Sequence, residues 1–188
     1  MPAIIDGAAQ DVRIGDLLAT GADLVLISAH KYLSSPTAGL FIGRNDMVDA
    51  VRAHEKGIGR AMKPTKEAIC GVLAAIEERQ ETDLGAWSDG QESKAAGFVK
   101  QANEIPGVQA TSVPDPSGMP FPRAHLSISP SQAAMEAEAL AKSLKAGDPS
   151  IWVMEHALKD GQIILELVRL TEDELEVILA RISKLLSL

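Results

Sequence analysis

Cysteine is almost missing from this chain. Its 188 residues include one, Cys70, so no internal disulfide can form and the composition suits a reducing compartment. Long apolar runs are missing too: none reaches the ~20 residues that a spanning helix needs. The N-terminus has neither the basic block nor the apolar block of a secretory leader. Basic residues are outnumbered, 18 Lys and Arg against 26 Asp and Glu, giving a formal net charge of −8. That balance argues against broad binding to nucleic acid or to an anionic membrane surface. The four histidines, His30, His54, His125 and His156, have no metal-ligand spacing, and no metal site is expected. There is no internal repeat and no low-complexity stretch. What remains is the expectation of a cytoplasmic protein whose partners are neither nucleic acid nor membrane.

Enough is present to build a core: 46% of the residues are apolar and 23% charged, an ordinary globular mixture. Residues 3–6 and 23–28 are β-branched, continuous apolar runs and read as buried strands. Ile14 to Thr20 reads as a short helix closed by Gly21, so the two strands should be parallel, in a βαβ unit with a right-handed crossover. Leu40–Gly43 makes a third strand. A helix is predicted over 45–55, with Asn45 as its N-cap and Gly57 and Gly59 breaking it. Thr65 to Gln80 reads as an amphipathic helix with Ile69, Val72, Leu73 and Ile76 on one face; Cys70 is expected in the core. Glu81–Gly90 looks like a hinge and divides the chain into residues 1–80 and 81–188. Beyond it come a helix over 91–104, strands over 108–113 and 123–129 around a Pro/Gly-rich turn, and a helix over Ser131–Lys145. A hairpin, 151–156 and 162–168, turns through Lys159-Asp160-Gly161. The last helix opens on Thr171-Glu172-Asp173-Glu174, a capping-box pattern. The tail thus reads αββαββα, a small α+β domain, in which Arg123 and His125 look like ordinary strand residues.

Two residues at strand exits carry chemistry. Lys31 follows Ser28-Ala29-His30 at the end of the run Asp23–Ser28 and opens the loop Tyr32–Gly39. A lysine there is either a surface cation or an amine set up for Schiff-base chemistry, which needs partial desolvation to favour the neutral form. Asp6 ends the run Ala3-Ile4-Ile5, one strand-plus-helix unit earlier. It is either a strand-end cap or a partner for a protonated ring nitrogen. For His30, a satisfied loop histidine and a ligand are both open readings. Arg60, Lys63 and Lys66 follow a Gly57–Gly59 pair and gather near a helix N-terminus, where cations oppose the dipole. They are a solvated basic patch or an anion site.

The stretch Ile4–Lys66 resembles the pyridoxal-phosphate (PLP) enzymes of fold type I. Within them it resembles the selenocysteine synthase-like group, and most of all D-glucosaminate-6-phosphate ammonia-lyase-like proteins. The residues carrying the likeness are Ile5-Asp6-Gly7-Ala8-Ala9-Gln10, Ser28-Ala29-His30-Lys31, Pro36-Thr37-Ala38-Gly39-Leu40 and Gly59–Glu67; Gly147–Val153 and Ile164–Glu174 resemble the group's small domain. Ser-x-His-Lys alone is shared with cysteine desulfurases and class V aminotransferases. Members are about twice as long, so the likeness covers their C-terminal half. It lacks the Gly/Ser/Thr loop that holds the coenzyme phosphate at a helix N-terminus, and the side chain that stacks on the pyridine ring.

The resemblance implies an α/β fold class, the C-terminal part of a PLP-dependent transferase fold. A βαβ remnant of the large domain carries the Schiff-base lysine, and a small α+β domain follows. It implies PLP as cofactor, with Lys31 as the Schiff-base lysine and Asp6 on the pyridine nitrogen. Ser28 and His30 lie near the phosphate or the ring oxygen. Thr37 and Gly39 serve the phosphate of a neighbouring subunit, although Ser35 stands where relatives often have glycine, which disfavours positive φ at that position. Arg60, Lys63 and Lys66 would face an anionic amino substrate, with Arg169 as a carboxylate clamp. The expected activity is a PLP-dependent lyase acting on an amino acid or amino-sugar acid with an anionic group. The alternatives are a PLP-dependent aminotransferase or selenocysteine synthase-like transferase, and a non-catalytic piece that associates with a partner chain. Transfer to a charged tRNA finds little support in so acidic a chain. A homo-oligomer, dimer or higher, is expected in every case.

Overall fold

The computed structural model describes residues 1–187. The chain divides into two compact units, Met1–Thr82 and Asp83–Leu188, and each is described by itself. No helix of the described residues is long and apolar enough to cross a membrane.

The first unit holds β1 (Ile4–Asp6), α1 (Ile14–Ala19), β2 (Leu24–Ser28), β3 (Gly39–Gly43), α2 (Asn45–Ala53) and α3 (Lys66–Glu81). Its sheet runs β1-β2-β3, with β1 parallel and β3 antiparallel to β2. The central strand is the apolar one: Leu24, Val25 and Ile27 are wholly buried. β1 is not the buried strand that its sequence suggests. It has a neighbour on one side only, and Ile4 remains 60% exposed. Gly21, at φ +91, ends α1 as expected, a conformation that costs glycine little. Asn45 is not the cap of α2. Arg44 takes that position, its guanidinium held by Asp23 and Asp46, and Asn45 is the first helical residue.

α3 starts where expected, with Thr65 Oγ1 accepting from the Ala68 N–H at 3.2 Å. The buried stripe differs from the expected one. Ala68, Val72 and Ala75 are buried, whereas Ile69 and Leu73 are 41% and 56% exposed and Cys70 is exposed. Smaller residues face inward because α3 approaches a loop closely. A Cβ on Gly71 would lie 2.6 Å from Pro36 Cδ. Val72, Ala75 and Ile76 pack there with Ala29, Leu33, Ala38 and Leu40.

The second unit holds α4 (Leu84–Ala102), β4 (Val108–Pro114), β5 (Pro122–Ile128), α5 (Ala137–Ala146), β6 (Gln162–Glu166) and α6 (Glu172–Leu186). The three strands form an antiparallel sheet in chain order. Alternation along β5 turns Ala124, Leu126 and Ile128 into a core shared with Phe98, Leu140, Leu144, Ile163 and Ile182. Three expectations are corrected. α4 begins inside the stretch read as a hinge, because Asp83 accepts the Ala86 N–H at 3.0 Å and caps a helix there. α5 begins at Ala137 rather than Ser131. Residues 151–156 form no strand; their one ladder contact is the bridge Met154–Ile164, so the order is αββαβα. The capping box at Thr171 and Glu174 is formed in both directions.

Arg123 is no ordinary strand residue. Its Nη2 lies 2.5 Å from Asp115 Oδ2 and 3.7 Å from Glu166 Oε2, and the Asp115 side chain is fully buried. Burial pushes the Asp115 carboxyl up. The Ser117 hydroxyl and amide, the Arg123 charge and the Met119 amide outweigh it and hold the group below the usual aspartate value. A depressed folded-state pKa stabilises the protein above the unfolded value near 3.8 and is lost as pH falls through the folded one. Both tryptophans, Trp87 and Trp152, lie in this unit and report its unfolding. Asp115→Asn should cost about 3 kcal/mol at neutral pH by leaving Arg123 short of a partner. It should also flatten the fall of the Trp-monitored urea midpoint between pH 5 and pH 3.

Candidate active site

Parallel pairing sets the geometry of the first unit. Asp6 closes β1, Ser28 closes β2, and the two strands run the same way, so both exits open on one sheet edge. β3 starts on that edge too, with Gly39 opposite Ser28. The edge is knitted by backbone hydrogen bonds. Ser28 N–H donates to Ala8 O and Ala29 N–H to Ala38 O, each at 2.9 Å; Lys31 N–H donates to Ser28 O at 3.2 Å and Ser35 N–H to Ala29 O at 3.1 Å. Asp6 Oδ1 accepts the Ala8 N–H at 3.1 Å, which orients the carboxylate. Asp6, Ser28, His30, Lys31, Thr37 and Gly39 are thereby brought to one edge. Asp6, His30, Lys31, Thr37 and Gly39 are exposed, and Ala29 beneath them is buried. The partial desolvation expected of Lys31 is not supplied by this chain's own packing.

The loop after Lys31 carries its positive φ one residue before Ser35. Ser34, not Ser35, has φ +60, and it is the single non-glycine positive φ among the described residues. Left-handed backbone costs a side-chain-bearing residue about 1 kcal/mol. The Ser34 hydroxyl returns part of it by donating to Tyr32 O at 3.3 Å. α3 braces this loop through Gly71 against Pro36 and through Arg79, whose Nη2 donates to Tyr32 O at 2.8 Å.

Reading motifs missed the other end of Arg79. Its Nη1 lies 2.6 Å from Oδ2 of Asp11, whose side chain is 3% exposed. Neither Asp11 oxygen has a well-aligned hydrogen-bond donor, so the contact is ionic in character. Burial pushes the Asp11 carboxyl above its ordinary value, further than the nearby Arg79 charge pulls it down. A signal for Arg79 was in the sequence. It continues the buried stripe Ala68, Val72, Ala75 one turn further, and a cation on an apolar stripe needs a buried partner.

The basic residues stand apart. Arg60 lies in the 3-10 turn Ile58–Met62, Lys63 follows it and Lys66 is the first residue of α3; all three are exposed. Their side chains make no ion pair among the described residues. Arg169 is exposed in the second unit, between β6 and α6.

Known proteins are similar to this chain. The family model of L-seryl-tRNA selenium transferase matches residues 6–84. The chain is 34% identical over 186 residues to a 5'-C-glycyluridine monooxygenase-decarboxylase of a Streptomyces species, covering 99% of this chain and 46% of that one. It is 29% identical over 189 residues to the D-glucosaminate-6-phosphate ammonia lyase of Salmonella typhimurium, covering 98% and 49%. A solved D-glucosaminate-6-phosphate ammonia-lyase superposes with a TM-score of 0.80 at 28% identity, over 98% of this chain and 49% of that one. The resemblance to the selenocysteine synthase-like group of fold-type I enzymes stands. The chain spans about half the length of the curated relatives it matches. The relatives are enzymes, and PLP is the cofactor of the group. The fold class read from the sequence, part of a PLP-dependent transferase fold, stands with it.

Gly71 tests how this edge is held. Gly71→Ala should push α3 off Pro36 and destabilise the first unit by about 1–3 kcal/mol. Hydrogen exchange should rise across residues 29–38, and Trp fluorescence should be unchanged because both tryptophans lie in the other unit.

Proposed function

We propose that this chain carries the lysine-bearing, C-terminal half of a PLP-dependent lyase acting on an amino acid or amino-sugar acid with an anionic group. The observation that carries the reading is the parallel register of β1 and β2, from which Asp6 and Lys31 leave the sheet on one edge. The donor set on that edge fits the coenzyme: an exposed primary amine for its aldehyde, an oriented carboxylate for its ring nitrogen, and hydroxyl and backbone donors for its phosphate. When bound, PLP supplies an electron sink that makes bonds at the substrate α-carbon labile.

This chain's residues would hold and move protons around that sink. Lys31 Nζ would hold the coenzyme through its aldehyde carbon and would serve as the base for the substrate α-proton. The Asp6 carboxylate keeps the ring nitrogen protonated. Ser28 and His30 bind near the phosphate or the ring oxygen, and Thr37 and Gly39 donate to a phosphate across a subunit boundary. Arg60, Lys63 and Lys66 would bind the anionic groups of the substrate, arginine through paired hydrogen bonds; Arg169, in the second unit, is assigned by itself as a carboxylate clamp. Residues 1–80 are assigned as the remnant of the PLP-binding large domain and 81–188 as the small domain. A homo-oligomer and a cytoplasmic location complete the reading. The exposure of Lys31 supports the oligomer, since the desolvation its chemistry needs must come from another surface.

A second reading is favoured by one observation, the 34% identity to a 5'-C-glycyluridine monooxygenase-decarboxylase. In that case the substrate is an amino acid attached to a nucleoside, and carbon dioxide is lost with uptake of oxygen. Keto acid plus ammonia separates the lyase from this reading, and amino transfer to a second keto acid identifies a transaminase.

Coenzyme binding is the first test. The purified chain is mixed with PLP, reduced with borohydride and digested, and the modified peptide is identified by mass spectrometry. Label should sit on Lys31 and vanish in Lys31→Ala. Label spread over surface lysines in proportion to their exposure, or unchanged in the variant, would sink the proposal.

A further inference from the structure

We infer that Arg79 is a positioning residue, which holds the Lys31 loop in register with the segment leaving Asp6 by bridging Asp11 and the Tyr32 carbonyl. The inference rests on the proposed function for its meaning, though not for its geometry.

One guanidinium touches both segments. Nη1 lies 2.6 Å from Asp11 Oδ2, and Nη2 donates to Tyr32 O at 2.8 Å across 47 residues of sequence. Tyr32 is the neighbour of Lys31, and Asp11 opens the 3-10 turn, Asp11–Arg13, that follows Asp6. The flanks of both candidate catalytic groups are therefore tied to one side chain on α3. Arginine suits the task because its planar fork presents two donors in fixed directions, whereas lysine offers one point charge.

Stability alone does not explain the arrangement. A buried ion pair recovers little beyond its desolvation cost, and an apolar pair of the same volume often does as well. The first unit could have continued the stripe Ala68, Val72, Ala75 with another apolar residue. Instead a carboxylate with 3% of its side chain exposed is set against a cation at 24%. What an apolar pair cannot supply is a directional hold on a backbone carbonyl. The loop needs one, since its left-handed Ser34 would relax if released.

The test uses the full chain and the variants Arg79→Gln, Arg79→Lys, Asp11→Asn and the double variant Arg79→Gln/Asp11→Asn. Backbone hydrogen exchange is read at Lys31, Ser34 and Ser35, with the β2 amides as the folding control. Arg79→Gln and Asp11→Asn should each speed exchange in the loop more than tenfold and leave β2 unchanged. The double variant should match the single ones rather than multiply them, because the two side chains act as a unit. Arg79→Lys, which keeps the charge and loses the fork, should fall between. Loop exchange at the wild-type rate in Arg79→Gln would overturn the inference. So would acceleration shared equally by β2, in Arg79→Gln and Arg79→Lys alike, which would mark a plain fold-stabilising pair. The same variants are then put through the PLP and borohydride labelling. Labelling of Lys31 should fall at least tenfold in apparent affinity in Arg79→Gln and recover in part in Arg79→Lys. If the wild-type chain takes no label at Lys31, the proposed function fails, and the exchange data still decide whether Arg79 holds the loop.

Discussion

The direction of one short strand pair governs the first unit. Because β1 and β2 run parallel, the residues that end them come out on the same edge, and a helix-containing connection must carry the chain back between them. An antiparallel pair would send Asp6 and Lys31 to opposite ends of the sheet. β3 then reverses on β2, so the loop between them turns over that edge and returns Thr37 and Gly39 to it. The constellation thus follows from three strands of three to five residues, with no long-range side-chain contact needed to create it. Side chains refine it instead.

That refinement comes from α3. A helix can brace a loop only if it comes close, and closeness requires small residues on the contact stripe. Ala68, Gly71 and Ala75 provide it, with Pro36 filling the space that a Cβ on Gly71 would occupy. The larger residues Ile69 and Leu73 are left outside for the same reason. The stripe ends on Arg79, the position where the helix can reach both the loop carbonyl and the turn after β1. Packing and electrostatics therefore act at successive turns of one helix on the same loop.

Most element types were legible because they rest on local chemistry: the continuous apolar run at Leu24–Ile27, the Gly21 stop, Thr65 as a cap and the Thr171–Glu174 box. That Asp6, Ser28 and Lys31 lie together was legible because each sits at or just past a strand exit. The failures share a cause, which is that tertiary contact overrode local pattern. Apolar content alone marked Ile69 and Leu73 as core, whereas the demand for close approach selected alanine and valine. Asn45 has the side chain of a cap, but Arg44 sits between two aspartates that hold it there. Residues 151–156 open on the apolar run Ile-Trp-Val-Met, which reads as a strand, yet only Met154 reaches the ladder. The partners in the pairs Asp11–Arg79 and Asp115–Arg123 were not legible, because each pair joins residues that no periodicity relates, although the place of Arg79 on the buried stripe was a signal that it needed one.

The two units differ in how completely they cover their own apolar surface. The second leaves Trp152 and Val177 as its large exposed hydrophobics among the described residues. Trp152 is itself capped by the Lys145 ammonium, 3.8 Å from the ring centroid. The first leaves Ile4, Phe41, Ile58, Met62, Ile69 and Leu73 exposed in fewer residues. Such residues scattered singly need no explanation, but the first unit leaves more of them uncovered than the second among the described residues. Ile58 and Met62 flank Arg60, so the basic segment is also an apolar one. An arginine held beside apolar surface becomes a stronger anion ligand once that surface is covered, because the covering body removes competing water. The same cover would desolvate Lys31, provided that it extends over the sheet edge. Covering the apolar surface and desolvating Lys31 would then be one event, and the exposed hydrophobics of the first unit and its proposed function would rest on the same cover.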